Sequence, residues 1–185
     1  GGASTRVTYD GNFIKSIAGW DGNNIIYATN RDFQQFGRVG TLYSINMKGG
    51  ESKSLGYGIA SNISSNLDGI VLGRNTADPA RWKRYKGGTA GELWICKGKK
   101  GKFKKLINLK GNMANPMWVG SRIYFISDHD GIGNIYSCLS SGRSLKQHTF
   151  HKNYYARNAS TDGKSIVYHS GSQLHLLNIE ENLSI

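Results

Sequence analysis

Five cations, Arg74, Arg81, Lys83, Arg84 and Lys86, share one polar stretch with the aromatic residues Trp82 and Tyr85. Guanidinium and ammonium groups in such a cluster pair with carboxylates or phosphates. Aromatic rings set among cations can also stack nucleobases. Arg74, Arg81, Trp82, Lys83, Arg84 and Lys86 are therefore the candidate residues for binding a peptide or another anion. Two partners fit this chemistry: peptide carboxylates or an acidic protein surface, and nucleic acid, whose binding would weaken steeply with salt. A third reading is that the stretch only packs on a neighbouring element, with Trp82 as its plug. The stretch is too polar and glycine-rich for a single strand or helix, yet it joins two apolar runs, Ile70-Val71-Leu72 and Leu93-Trp94-Ile95. It reads as a long functional loop carried by a β scaffold.

Other chemistry is harder to find. The chain has no Gly-x-Ser-x-Gly elbow, no phosphate-binding Gly-x-x-x-x-Gly-Lys-Ser/Thr loop and no His-Glu-x-x-His. Asp128-His129-Asp130-Gly131 places carboxylates around an imidazole, a combination that can hold a metal or move protons, but an Asp-Gly turn is wanted there in any case. His148, His151, His169 and His175 follow no metal-ligand spacing. No catalytic residue, metal or cofactor is assigned to this chain.

The elements that must position the loop repeat along the sequence. Turn signals precede β-rich runs four times: Asp21-Gly22 before Ile25-Ile26-Tyr27, Asp68-Gly69 before Ile70-Val71-Leu72, Gly120 before Ile123-Tyr124-Phe125, and Asp162-Gly163 before Ile166-Val167-Tyr168. The glycines lie 47, 51 and 43 positions apart (22 to 69, 69 to 120, 120 to 163). Such a period, with several strands in each repeat, predicts an all-β fold of four-stranded antiparallel β-propeller blades. Inner strands are expected at Ile14–Ala18, Ile59–Ile63, Asn115–Val119 and Tyr155–Ala159, and second strands after each loop at Leu42–Ile45, Leu93–Cys96, Ile135–Cys138 and Leu174–Leu177. Short polar outer strands follow at Lys104–Ile107 and Leu145–His148. The chain thus divides into about four blades, 10–56, 57–108, 109–150 and 151–185, within one propeller segment. Thr5–Tyr9 alternates like an outer strand and, as segment 4–9, would complete the last blade, which ends in Leu183-Ser184-Ile185. The blades would close by themselves, assemble as a homo-oligomer or form part of a larger ring.

Composition agrees. Twenty-five glycines against 2 prolines suit tight hairpins, and no amphipathic helix is evident. Lys plus Arg number 24 against 12 Asp plus Glu, a formal charge of 24 − 12 = +12, which favours an acidic partner. Part of that charge lies in a solvated hairpin, Lys97–Lys105. Cys96 and Cys138 each end a β-rich run and read as buried free thiols. No apolar run approaches the roughly 20 residues of a membrane helix, and the N-terminal residues lack a signal-peptide core, so a soluble protein, or a soluble piece of one, is expected.

The stretches Gly73–Thr76, Trp82–Thr89 and Leu93–Ile95, with Arg122–Gly131, Gly133–Ser137 and Thr161–Tyr168, resemble the six-bladed propeller of the tricorn protease family, over about residues 5–178. The resemblance implies a segment of a large cytosolic serine peptidase that trims peptides released by the proteasome. In that family the propellers frame passages for peptides, while the catalytic serine, its histidine and a PDZ-like module lie elsewhere. Some members carry paired arginines before the strand matching Phe13–Trp20, held to grip a substrate's C-terminal carboxylate. Here that segment is short and offers Lys15. The implied role is non-catalytic: guiding peptides or docking to the remaining domains of the peptidase. The alternative is an autonomous basic propeller module that binds nucleic acid or an acidic protein.

Overall fold

A computed structural model describes residues 2–36, 39–76, 83–98 and 101–179. The chain forms two compact units, Gly1–Asn62 and Ile63–Ile185. The fold is all-β: among the described residues the one regular helix is a 3-10 turn at Arg31–Phe33.

In the first unit β1 (Ile14–Asp21), β2 (Asn24–Thr29), β3 (Thr41–Asn46) and β4 (Lys53–Ile59) form an up-and-down antiparallel sheet in chain order. Gly22, at φ +57, reverses the chain between β1 and β2, a conformation that costs a glycine little. Two bulges break the pairing of β1, between Ile14 and Ser16 and between Ile17 and Gly19. Each inserts one residue, so Ile14, Ile17 and Trp20 lie opposite Thr29, Tyr27 and Ile25, alternate residues of β2. The three apolar side chains therefore share one face, where they are 39%, 64% and 61% exposed. Behind β3, Asp32 accepts hydrogen bonds from Thr41 Oγ1 and Tyr43 Oη, both at 2.6 Å, and these hold its carboxyl below the ordinary aspartate value.

Two expected strands differ here. Thr5–Tyr9 enters no ladder, because its polar groups are turned inward on the segment itself: Arg6 Nε donates to the Thr8 carbonyl at 2.7 Å and Tyr9 Oη to the Arg6 carbonyl at 3.2 Å. The inner strand expected at Ile59–Ile63 is divided. Ile59 ends β4 opposite Thr41, Ala60 N donates to the Gly40 carbonyl at 2.9 Å, and the next strand begins at Asn62.

The second unit stacks three sheets. The first holds β5 (Asn62–Asn66), β6 (Gly69–Arg74), β7 (Glu92–Lys97) and β8 (Lys104–Lys105). The second holds β9 (Met113–Val119), β10 (Arg122–Ser127), β11 (Asn134–Leu139) and β12 (Lys146–Gln147). The third is three-stranded among the described residues, with β13 (Ala156–Thr161), β14 (Ser165–Ser170) and β15 (Gln173–Asn178); Leu183–Ile185 lie outside those residues. These meanders are the blades that the repeat predicts.

The alternation of side chains along β10 explains the stack. Ile123 and Phe125 point to one side and pack with Val71, Leu93 and Ile95 of the first sheet and with Leu106 just past β8. Tyr124 and Ile126 point to the other and pack with Ala156, Ala159, Ile166 and Tyr168 of the third. A strand covered on both faces needs an unbroken apolar run, and Ile123-Tyr124-Phe125-Ile126 supplies it. Cys96 and Cys138 are free and buried, and burial pushes the Cys138 thiol up to about 11. No helix among the described residues is long and apolar enough to cross a membrane.

Phe125 is fully buried at the centre of the interface between the first two sheets of this unit. Phe125→Ala should cost about 3–5 kcal/mol, read as a lower urea midpoint. A loss below about 1 kcal/mol would show that these sheets do not stabilise one another.

Candidate functional site

The basic loop connects β6 to β7, and a buried carboxylate holds its described part in place. Asp128, just past the end of β10, is 2% exposed. Its Oδ2 accepts from Arg84 N at 2.8 Å, from Asn112 Nδ2 at 3.3 Å and from Tyr155 Oη at 3.3 Å, and its Oδ1 from Asn112 N at 2.6 Å. Four donors from three segments thus converge on one side chain, which meets the requirement that a buried charge be hydrogen-bonded. Gly111 is needed beside it, since a Cβ there would lie 2.7 Å from Asp128 Oδ1. Arg84 adopts φ +59 to present its amide. The Asp-Gly turn expected at Asp128–Gly131 is present, with Gly131 N donating to the Asp128 carbonyl at 3.0 Å.

Three of the four described candidates, Arg74, Lys83 and Arg84, are engaged with neighbouring groups. Arg74 ends β6 and its guanidinium lies 4.3 Å from the centre of the Trp94 ring, a cation–π contact. Lys83 Nζ stands 5.5 Å from the Tyr155 ring centre. Arg84 Nε donates to the Gly131 carbonyl at 3.3 Å. Arg81 and Trp82 lie outside the described residues. Lys86 borders an open cavity of 260 Å³, together with Lys105 of β8, Lys110, Glu92, Ile107, Leu109 and Met113. Lys105 and Lys110 were missed: Lys105 reads as part of a solvated hairpin, and Lys110 stands alone in a polar link.

Glu92 sets the charge balance of this cavity. Its Oε1 pairs with Lys105 Nζ at 2.7 Å and its Oε2 accepts from Trp94 Nε1 at 3.0 Å. Burial pushes the Glu92 carboxyl up, but the hydrogen bonds from Lys105 and Trp94 and the charges of Lys105 and Arg74 outweigh it and hold the group below its ordinary 4.5.

The histidines serve structure. His129 packs edge-on against Tyr136, and burial lowers its pKa against the pull of Asp130 and Asp128. His148 Nε2 lies 2.7 Å from Ser137 Oγ, but that serine is fully buried and its Oγ accepts from Arg122 Nε at 2.7 Å, so the pair is no exposed nucleophile and base. His151 lies 2.9 Å from Tyr168 Oη, with His175 stacked on the same tyrosine. No group of three or more potential metal ligands comes together among the described residues.

Stacked antiparallel meanders carrying a clasped basic loop define a β-propeller segment. Residues 1–183 match the family model described as "Tricorn protease N-terminal beta propeller domain", and the chain belongs to that family, as the motifs around Trp82 and Arg122 imply. It is 40% identical over 181 residues to the tricorn protease homolog of Saccharolobus solfataricus, covering 98% of this chain and 17% of that protein. It is similar to the crystal structure of the tricorn protease, with a TM-score of 0.83 and 36% identity over 91% of this chain and 16% of that one. A putative TolB from Agrobacterium tumefaciens shares the fold alone, at TM-score 0.66 and 13% identity, covering 86% of this chain and 58% of that one. The chain therefore spans about 17% of the length of the curated relative it matches.

Two outcomes follow from the clasp and from Glu92. Asp128→Ala strands four donors, and should cost about 2–4 kcal/mol while exposing residues 83–91 to limited proteolysis. An unchanged cleavage rate would show that other contacts hold the loop. The Glu92 pKa is lowered on folding, so its contribution is complete above pH 4.5 and is lost as pH falls through the folded value. The fall in stability between pH 6 and pH 3 should therefore be smaller in Glu92→Gln than in the wild type, measured by urea titration.

Proposed function

We propose that this chain is a non-catalytic propeller segment of a tricorn-type serine peptidase, cytoplasmic, which docks to the remaining domains and guides peptides across its basic surface. In this reading the four sheets are successive blades of one propeller, and hydrolysis belongs to parts of the peptidase outside this segment.

The observation that carries the docking role is the outer face of the third sheet in the second unit. Ile166, Tyr168 and Leu177 face the neighbouring sheet. On the opposite face, Val167 pairs with Leu176 and His169 with Leu174. Val167, Leu176 and Leu174 are 46%, 68% and 83% exposed. The corresponding face of the preceding sheet, with Tyr124 and Ile126, is fully covered by its neighbour. A further sheet laid on Val167, Leu174 and Leu176 would continue the same stack, and burying them would contribute about 1.5–3 kcal/mol each. The length of the relatives leaves ample chain to provide it.

Peptide guidance is preferred to nucleic-acid binding because Arg74, Lys83 and Arg84 are turned toward Trp94, Tyr155 and the Gly131 carbonyl. Cations held in this way are poorly set to follow a run of phosphates, whereas Lys86 borders a cavity of side-chain size.

Light scattering on the 185-residue chain tests the docking role. The wild type should self-associate or bind a separately made segment that follows it in the parent peptidase, and the Leu174→Lys/Leu176→Lys variant should do neither while keeping its β-sheet circular dichroism. A monodisperse wild-type monomer with no affinity for that segment would refute the role.

A further inference from the structure

Three lysines line the 260 Å³ cavity from three separate pieces of chain: Lys86 from the basic loop, Lys105 from β8 and Lys110 from the link between β8 and β9. Glu92 is the acidic group in the lining, so the local balance is 3 − 1 = +2. Glu92 is also engaged with Lys105 and Trp94. Among the described residues neither Lys86 nor Lys110 has a carboxylate partner. Gathering like charges around a concavity costs free energy, and an anion that enters removes that cost.

The walls are fixed before any ligand arrives. Met113 N donates to the Gly91 carbonyl at 3.1 Å, and Gly91 packs so tightly on the Met113 carbonyl that no Cβ would fit between them. Asn112, between Gly111 and Met113, is hydrogen-bonded to Asp128 through both its backbone and side-chain nitrogens. Ile107, Leu109 and Met113 add apolar residues to the lining. At about 30 Å³ per water, 260 Å³ corresponds to roughly nine waters, the room of one amino-acid residue.

We infer that this cavity is a binding site for a peptide carboxylate, with Lys86 and Lys110 pairing the carboxylate and Ile107, Leu109 and Met113 taking the aliphatic part of the same residue. The inference rests on the peptide-guiding reading above and names the subsite that reading lacks. Lysine offers point charges and not a bidentate fork, so both a C-terminal carboxylate and an acidic side chain satisfy it. Glu92 competes for Lys105 and weakens the site.

Calorimetric titration of the full chain at low salt tests this with three peptides: acetyl-Ala-Ala-Leu acid, its C-terminal amide, and acetyl-Ala-Glu-Ala amide. The acid, the glutamate peptide or both should bind, and the neutral leucine amide should bind at least about tenfold more weakly. Which of the two charged peptides binds more tightly tells the terminal carboxylate from the side chain. Lys86→Met/Lys110→Met should weaken the preferred peptide by about tenfold or more without lowering the melting temperature, and Glu92→Gln should tighten it. Equal binding of acid and amide, or wild-type affinity in the double lysine variant, would overturn the subsite and leave peptide guidance standing. Failure of all three peptides to bind would overturn both.

Discussion

The second unit depends on one buried carboxylate. Asp128 closes no catalytic site; it gathers the Arg84 amide, the Asn112 backbone and side chain, and the Tyr155 hydroxyl around itself. The donors come from three different connections, namely the basic loop after β6, the link before β9 and the approach to β13. A charge removed from water is tolerated only when its hydrogen-bonding capacity is filled. That requirement fixes three otherwise independent loops to the end of one strand, and through Asn112 it shapes the wall of the lysine-lined cavity.

Around this point the sheets behave as repeated layers. β10 is apolar on both faces because sheets lie on both sides of it, while β14 keeps Ile166 and Tyr168 buried and leaves Val167 in contact with solvent. The proposed docking to further domains would put that uncovered face to use, and the chain spans about 17% of the relative's length.

Much of the architecture is legible in the residues, because strand periodicity and turn chemistry are local. The Ile123–Ile126 run, the turn glycines Gly22, Gly120 and Gly163 with positive φ, and the short lysine-rich β8 all follow from neighbours in sequence. What escapes is decided over distance. Asp128 looks like a turn residue because Asn112 and Arg84, 16 and 44 positions away, are invisible to a local reading. Arg74 and Lys83 look like free cations because nothing in sequence announces that Trp94 and Tyr155 will lie beneath them. Thr5–Tyr9 shows the converse: its alternation is real, but local hydrogen bonds use the groups a ladder would need.

The two bulges of β1 also bear on how the first unit meets other surfaces. They interrupt the edge that β1 presents, so an incoming strand finds no long, regular row of amides and carbonyls to extend. The same bulges bring Ile14, Ile17 and Trp20 onto one broad face. Association on this side is thereby biased toward flat contact between side chains and away from strand addition, a geometry that admits a defined neighbour while discouraging open-ended fibres.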